Sequence, residues 1–425
     1  MTTLIVFVII LMALMGAPVF IVISAFAMLG FYETGIPLAA IIVDIYSNFS
    51  SQPLLYTIPL FTFAGYILAE SKTSIRLVNF SMAILGWLPG GLSIVALVTC
   101  AFFTAFTGAS GVTIIALGGL LYPALIKEKY PDNFSLGLLT SSGSLGLLFP
   151  PSLPIILFGV VSETSINQLF AAGLIPGVFL ILLLSLYSIF IGKRSEVSQK
   201  RFHFAEVLKA ANQAKWELFI PVIVVVGIYG GFFTLGEIAS ITVAYSLIIE
   251  VFIHKDIRIV QIPSIMKRSM ILVGGILVIL GAAYGLTNYM IDAEIPMVIL
   301  DFMQQYITSK VVFLLTLNIF LLIVGCVLDI FSAILVTVPL ILPIAASYDI
   351  NPVHLGIIFL TNLEIGYSTP PVGMNLFISS FRFSKSVLSL YKATIPFLII
   401  LMIALMCITY MPQLSLWLVE HFHIK

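Results

Sequence analysis

Three stretches of this 425-residue chain contain no charged side chain at all, and they limit its possible folds more than any other feature. They cover residues 1–32, 77–126 and 133–162 and are mainly apolar. A helix needs only about 20 apolar residues to cross a bilayer. Because only 9% of all residues are charged and 60% are hydrophobic, the chain has too little polar surface for a water-soluble domain. We expect an all-α polytopic membrane protein with about eleven transmembrane helices.

Composition also argues against several classes of function. The formal net charge is zero, so nothing favours a nucleic acid as a partner. The three cysteines are odd in number and lie inside apolar runs, which argues against a disulfide framework. The five histidines lack metal-ligand spacing, and no Gly-x-x-x-x-Gly-Lys-Ser/Thr loop occurs. We therefore expect no cofactor and no ATP hydrolysis.

A Pro-Pro pair occurs twice in the sequence, each time four residues after a glycine. Gly146 precedes Pro150-Pro151, and Gly366 precedes Pro370-Pro371, so the two copies are 220 residues apart. Two adjacent prolines remove two backbone donors and cannot continue a helix, so each pair is predicted to break a membrane-embedded helix. Paired breaks in corresponding halves of a membrane protein indicate the binding site of a transporter.

The charges that flank the two copies predict opposite orientations in the membrane. Lys127 and Lys129 precede the first broken helix, and only Glu163 follows it closely. In the second copy Asp349 precedes the broken helix, and basic residues from Arg382 onward follow it. Since Lys and Arg in short loops favour the cytoplasmic side, the two copies should cross the membrane in opposite senses. Such inverted-topology repeats are typical of alternating-access carriers.

These landmarks divide the chain into two related halves. We expect the first half at 1–192, a cytoplasmic amphipathic connector at 193–217 and the second half at 218–425. Each half should contain a re-entrant hairpin, because the helices of the first hairpin would be only ~22–24 Å long against a ~30 Å hydrocarbon core. The hairpins and broken helices are expected, in chain order, near 92–126, 134–162, 311–347 and 353–382.

The hairpin tips and the breaks concentrate oxygen atoms that cannot face lipid. The first tip spans Thr107 to Gly111, and the second contains Asp329 and Ser332 in an otherwise apolar run. An intramembrane carboxylate costs roughly 2.5–3.5 kcal/mol on insertion scales, which favours a function for Asp329. The alternative is that this carboxylate only caps the second helix of its hairpin. Glu364, beside the second break, has the same two alternatives of cation contact and packing or capping.

Hydroxyl and glycine clusters next to the breaks suit a sodium ion, because carbonyl and hydroxyl groups there supply oxygen ligands without net charge. One such cluster, Thr140 to Ser144, precedes the first break, and Thr361 with Asn362 precedes the second. The alternative is that these small residues only allow close helix packing. The N-terminal ends of the half-helices suit a carboxylate substrate.

Two other classes of function compete with a carrier. Gly108-Ala109-Ser110-Gly111 matches the Gly-x-Ser-Gly pattern of rhomboid intramembrane proteases, with His354 as the best candidate base. A channel would instead line one continuous polar path or repeat its pore elements around an axis. Two inverted halves with opposing hairpins favour alternating access over both.

Two long motifs resemble the large transmembrane subunit, of the DctM/SiaM type, of tripartite ATP-independent periplasmic (TRAP) transporters. The first contains TGASG, LLYPALIKEKYPDNFSLGLLTSSGSLGLLFPPSLPIILFG and LFAAGLIPG, between residues 106 and 177. The second contains GCVLDIFSAILVTVPLILPI and HLGIIFLTNLEIGYSTPPVGMNLF. The resemblance covers nearly the whole chain. It implies an elevator-type, sodium-coupled importer of organic acids in the bacterial inner membrane, related in architecture to divalent-anion/sodium symporters.

The resemblance also assigns residues and partners. It implies sodium near Ser110, Ser141 and Gly143 and near Asp329, Thr361 and Gly366. The sodium or substrate residues it implies are Thr107, Gly108, Ser110, Gly111, Ser141, Ser142, Gly143, Gly146, Pro150, Pro151, Asp329, Ser332, Thr361, Asn362, Gly366, Thr369, Pro370 and Pro371. Many members have Ser-Gly-Ser-Ser at the first tip, but Ala109 here offers no hydroxyl.

The partners that the resemblance implies are a separate small membrane subunit of about four helices and a soluble periplasmic substrate-binding protein. Sialic acid, slightly preferred, and C4-dicarboxylates are the expected substrate classes. A stand-alone sodium/divalent-anion symporter is the alternative function.

Overall fold

The computed structural model of the chain describes residues 2–195, 197, 202–307 and 309–424. Every regular element in these ranges is a helix, which confirms the all-α class. Residue 196 and residues 198–201 of the expected connector lie outside the described residues.

A six-helix unit occurs twice in the chain. Its first copy consists of α5 (Thr73–Leu85), α6 (Gly91–Thr107), α7 (Ser110–Lys127), α8 (Asp132–Ser142), α9 (Leu153–Ser162) and α10 (Ile166–Arg194). Its second copy consists of α14 (Ile295–Tyr306), α15 (Lys310–Val327), α16 (Ile330–Ser347), α17 (Pro352–Gly366), α18 (Met374–Phe383) and α19 (Val387–Tyr410). Corresponding helices begin 219 to 222 residues apart, close to the spacing of the Pro-Pro pairs.

The remaining helices surround the two units. Four precede the first unit: α1 (Thr2–Leu14), α2 (Val19–Thr34), α3 (Ala39–Ser51) and α4 (Thr57–Glu70). Three connect the units: α11 (Phe204–Tyr229), α12 (Leu235–Leu247, continued by a π-helical turn at Ile248–Ile253) and α13 (Ile262–Asp292). The chain ends with α20 (Gln413–His421).

Polar caps explain where several of these helices begin. The side chains of Ser165 and Ser386 accept hydrogen bonds from backbone N–H groups at the starts of α10 and α19, at equivalent positions of the two units. Asn351 caps α17 in the same way, and Pro352 follows it at the first helical position. A side-chain acceptor satisfies donors that have no partner in the first turn, and proline has no N–H to satisfy there.

Two sets of contacts show that the units run in opposite directions. Lys385 Nζ, just after α18, lies 2.8 Å from Asp132 Oδ2 at the start of α8. At the opposite end, Gln168 at the start of α10 donates to Ile424 O, just beyond α20, at 2.9 Å. His354, at the start of α17, contacts Ser415 of α20 at 2.6 Å. The end of the second broken helix thus lies beside the beginning of the first.

Eight helices of the described residues are long and apolar enough to cross a membrane, or nine if the bent α8–α9 pair counts as one span. The other apolar helices have only 10–17 residues. The polypeptide is therefore a multi-pass membrane protein in which breaks divide several apolar stretches.

Residues 204–217 of the expected connector form the first part of a longer helix. Helix α11 runs without interruption from Phe204 to Tyr229, so the polar residues up to 217 continue directly into an apolar segment. Glu217 is only 1% exposed in this helix. A tertiary partner for this carboxylate, which the local sequence does not reveal, explains the burial.

That partner is Arg76 of α5. Its guanidinium contacts Glu217, and it lies 3.1 Å from Glu250 in the π-helical turn and 2.6 Å from Asp256 in the following loop. Burial by itself would raise the pKa of Asp256, but the hydrogen bond and the charge of Arg76 outweigh this effect and lower it. One cation thus joins α5 to the helices that connect the two units.

Candidate functional site

The hairpin helices of each unit pack against the half-helix that follows the break in the other unit. Helix α18 contacts α7 and α8, and helix α9 contacts α16. Helix α8 and a 3₁₀ turn at Leu145–Leu148 meet α9 at 45°. The Pro150-Pro151 and Pro370-Pro371 peptide bonds are both cis. This exchange largely buries the first tip and the first break, whereas the second tip is half-buried and Pro371 and Val372 of the second break are exposed.

Gly146 and Gly366 allow each break to approach the first helix of its own hairpin. A Cβ atom on Gly146 would lie 2.1 Å from the carbonyl oxygen of Ala101 in α6. A Cβ atom on Gly366 would lie 2.7 Å from the carbonyl carbon of Gly325 in α15. No ordinary Cβ contact is this short, so only glycine fits at these equivalent positions.

The first tip is the two-residue connection Gly108-Ala109 between α6 and α7. Gly108 has a φ of +65° and packs against Leu153 at the start of α9. Thr107 donates weakly to Ala109 O at 3.5 Å. Ser110, buried at the start of α7, donates its hydroxyl hydrogen to Asn375 Oδ1 at 2.7 Å. The tip is therefore held by residues beyond both breaks.

Two threonines that the sequence did not single out bind this tip to the first break. Thr104 Oγ1 donates to Gly143 O at 2.8 Å and lies 2.6 Å from Thr113 Oγ1. A Cβ on Gly143 would meet the side chain of Ile114 at 2.6 Å. In the sequence, the only indication of this pair is that both hydroxyls lie in a stretch without charged residues.

The serines before the first break differ in their partners. Ser144 donates to Glu364 O at 3.2 Å, across 220 residues of sequence. Ser142 donates weakly to Leu139 O at 3.5 Å. Ser141 Oγ is buried and has no hydrogen-bond partner within the described part of the chain. Since buried polar groups are normally hydrogen-bonded, Ser141 is an available oxygen ligand.

The second tip is Leu328-Asp329, between α15 and α16. Asp329 Oδ1 accepts from the N–H groups of Phe331 and Ser332, each at 3.0 Å, and Oδ2 accepts from the Ser332 hydroxyl. Tyr367, next to the second break, accepts from Ile330 N through its hydroxyl. Asp329 therefore caps α16, as one of the two sequence alternatives proposed, and the break lies against the tip.

The side-chain hydrogen bonds of Thr361 and Asn362 instead run within α17 and to α15. Thr361 Oγ1 donates to Ile357 O at 2.7 Å. Asn362 Nδ2 donates to Asn318 Oδ1 of α15 at 2.7 Å and to Ile358 O at 2.8 Å. The Oδ1 atom of Asn362 is buried without a partner among the described residues. Asn318, which the sequence analysis missed, thus orients the amide so that one oxygen is left available.

The remaining predicted residues lie close to these groups. Gly111 faces Ile378 of α18, and Thr369 Oγ1 donates to Ile365 O at 2.8 Å. Glu364 is 1% exposed, and within the described ranges both of its carboxylate oxygens lack a hydrogen-bond partner.

The geometry gives Ser110 an amide as its partner, not a base. His354 is buried elsewhere, with Nδ1 bonded to Ser415 Oγ at 2.6 Å and Nε2 facing Thr409 O at 3.2 Å. A nucleophilic serine needs a base within hydrogen-bond reach. The arrangement therefore does not form a serine–histidine pair.

No group of three or more His, Cys, Asp or Glu side chains in the described ranges is placed to hold a metal ion. The tips and breaks instead offer hydroxyl, amide and backbone oxygens, besides the partly buried carboxylate of Asp329. Such ligands suit a monovalent hard cation better than a zinc-type centre.

Comparison with known proteins identifies the family. The model of the "Tripartite ATP-independent periplasmic transporter, DctM component" family matches residues 3–414. A C4-dicarboxylate TRAP transporter large permease protein DctM from Pseudomonas aeruginosa is 34% identical over 368 residues, with 86% of each chain covered. An isethionate TRAP transporter permease protein DctMQ from Oleidesulfovibrio alaskensis is 32% identical over 412 residues. That match covers 96% of this chain and 64% of the longer relative.

A solved structure shares the fold. The Alcanivorax borkumensis YdaH transporter, described as having an unusual topology, superposes with a TM-score of 0.64 and covers 88% of each chain. Sequence identity is 11%, so this similarity concerns the fold alone.

Proposed function

The chain belongs to the DctM component family of the tripartite ATP-independent periplasmic transporters and is a large permease subunit, and from this premise we propose that it imports an organic acid by sodium-coupled elevator transport. The observation that carries the proposal is the exchange of half-helices between the units, together with buried oxygen atoms beside the breaks that have no hydrogen-bond partner among the described residues. Inverted repeats with broken helices are typical of secondary transporters with a central binding site.

Sodium fits the residues of both half-sites. In the first, Ser110, Ser141 and the carbonyl of Gly143 would hold the ion, and the unpartnered Ser141 hydroxyl supports this assignment. In the second, Asp329, Thr361 and the backbone at Gly366 would do so, with Asn362 Oδ1 as a further available oxygen. The ion would supply a positive charge that attracts an anionic substrate and makes its uptake depend on the sodium gradient.

The substrate would bind where the second half of each broken helix begins. Helices α9 and α18 start at Leu153 and Met374, and neither N-terminus has a side-chain cap. The partial positive charge of a helix N-terminus favours a carboxylate. A substrate with one or two carboxylates could therefore contact both N-termini.

The names of the relatives give three candidate substrates, a C4-dicarboxylate, isethionate and ectoine. We propose an organic acid of the C4-dicarboxylate or sialic acid class, delivered by a periplasmic substrate-binding protein. We propose the bacterial inner membrane as the location and a small membrane subunit as a second partner. The hairpins and broken helices, α6–α9 and α15–α18, would move as an elevator against the other helices.

Reconstitution of the purified complex in proteoliposomes tests this function. The chain is inserted with its small subunit, and uptake of radiolabelled succinate, sialic acid and isethionate is measured with and without the binding protein. We expect saturable uptake of one acid that requires an inward sodium gradient and stops when potassium replaces sodium. Uptake that is unchanged without sodium would overturn the coupling, and a large non-saturating conductance would favour a channel.

A further inference from the structure

Asn375, the second residue of α18, forms three side-chain hydrogen bonds, and all three reach the other repeat unit. Its Oδ1 accepts from Ser110 Oγ at 2.7 Å. Its Nδ2 donates to Thr140 O at 3.3 Å and to Ser144 Oγ at 3.5 Å. The side chain is fully buried. One amide of the second unit thus joins the tip and the break of the first.

These bonds orient the Ser110 hydroxyl. A serine hydroxyl has a single hydrogen and two lone pairs, so donation to Asn375 leaves the oxygen lone pairs available for a cation. The two bonds from Nδ2 fix the amide, because a flipped amide would turn its donors toward Ser110 and its oxygen toward a carbonyl. Asn375 therefore presents Ser110 as a ligand oxygen.

The backbone of Asn375 extends this connection to the second break. Its N–H donates to Tyr367 O at 3.0 Å, across the Pro370-Pro371 segment. The corresponding residues of α9 are Pro154 and Ile155, whose side chains form no hydrogen bonds. The amide connection therefore runs from the second unit to the first without an equivalent in the reverse direction.

We propose that Asn375 is a positioning residue that couples the first cation half-site to the break of the second unit. The inference rests on the sodium coupling proposed above. Sodium held by Ser110 would stabilise the bond to Asn375, and the bond to Tyr367 would then order the segment from Tyr367 to Met374. Cation binding at one half-site would thus prepare the substrate-binding helix end of the other.

A matched pair of variants tests the role of the amide. Asn375→Leu removes all three side-chain bonds and keeps the number and branching of the side-chain heavy atoms. Ser379→Ala removes a bond from Thr140 Oγ1 at 2.9 Å, one turn further along the same buried face of α18. Each is combined with Ala109→Cys, and protection of the introduced thiol from a maleimide is titrated with sodium in the reconstituted complex.

We expect Asn375→Leu to raise the sodium concentration for half-protection by about tenfold, which corresponds to losing the bond from Ser110, the one of the three that holds a proposed sodium ligand. Ser379→Ala should change it by less than about twofold. At saturating sodium, the maximal uptake rate should fall by a smaller factor than the apparent sodium affinity does. An unchanged half-protection concentration in Asn375→Leu, or an equal rise in both variants, would overturn the proposal.

Hydrogen exchange of the wild-type complex tests the same coupling without any substitution. Sodium should slow amide exchange both at the first tip, residues 107–113, and at the second break, residues 367–376. Protection of the tip alone would overturn the coupling while leaving sodium binding intact. Protection of neither segment would overturn sodium coupling itself and this inference with it.

Discussion

Replacement of Arg76 by alanine should destabilise the protein strongly. The side chain of Arg76 is 13% exposed, and its three carboxylate partners, Glu217, Glu250 and Asp256, are 1%, 0% and 8% exposed. The substitution leaves Glu217 and Glu250 in a poorly hydrated region without this cation, whereas Asp256 keeps Lys72 Nζ at 3.7 Å. Breaking a buried ion pair by removing one partner costs about 3–5 kcal/mol, because the remaining charge is uncompensated.

The exposed pair between Arg268 and Glu70 provides a matched control. Its nitrogen and oxygen are 2.7 Å apart, but the two side chains are 50% and 41% exposed. An exposed ion pair contributes only about 0–1 kcal/mol. Arg268→Ala therefore removes the same side chain at a similar contact distance without burying a charge.

Thermal unfolding in detergent, followed with a thiol-reactive dye, measures the difference. The buried thiols of Cys100 and Cys326 become reactive only when the helices separate. We expect Arg76→Ala to lower the Tm by on the order of 5–10 °C and Arg268→Ala by no more than about 2 °C. Equal shifts for the two variants would refute the assignment of Arg76 as a buried cation.

The pH dependence gives a second test with a defined sign. Because Arg76 lowers the pKa of Asp256, the pair stabilises the folded state above the ordinary carboxyl pKa and loses this effect as the pH falls through the lowered value. Without Arg76 the carboxylate of Asp256 loses the larger part of this stabilisation. The gap in Tm between wild type and Arg76→Ala should therefore stay constant above the ordinary carboxyl pKa of 3.8 and narrow as the pH falls below it, and a gap that widens there would contradict the reasoning.

Three further outcomes are expected. Gly366→Ala should lower the free energy of unfolding by about 1–3 kcal/mol through overpacking, and it should abolish uptake. Gly274→Ala, in α13 with open space around it, should leave the stability measured by thermal unfolding unchanged or slightly raised. His354→Ala should lower the free energy of unfolding by about 1–3 kcal/mol through lost buried hydrogen bonds, and the folded fraction should still take up substrate. Complete loss of activity in stable protein would favour a catalytic role. Cysteines that replace Glu163 and Lys385 should be labelled from opposite sides of the membrane, and labelling from one side would disprove the inverted repeat.

The positions of the helix breaks could be predicted from the sequence because their causes are local. A Pro-Pro pair stops a helix wherever it occurs, and the structure has no α-helix across either pair within the described residues. The residues that end the hairpin helices are similarly local, since Gly108 adopts a positive φ and Asp329 accepts from the next turn. The resemblance to the TRAP large subunit is confirmed by the family match over residues 3–414.

The partners of these local features could not be predicted in the same way. The sequence left the role of Asp329 open, missed Thr104 and Asn318, and did not identify the carboxylates that Arg76 neutralises. Asn375 was only one of several polar residues in the second half. Each of these roles depends on which helix lies opposite, and no periodicity or spacing along a single helix contains that information.

The sequence by itself determined that this chain is a helical membrane protein with two related units, because its charge-free stretches, repeated prolines and glycines act through composition and local backbone geometry. Only the tertiary structure decided that α18 of the second unit packs against the first tip and that Arg76 joins α5 to α11. Ser110 and Asn375 are 265 residues apart in sequence and 2.7 Å apart in space. Such contacts arise from helix packing, in which glycine permits close approach and buried polar groups must find partners wherever the fold places them.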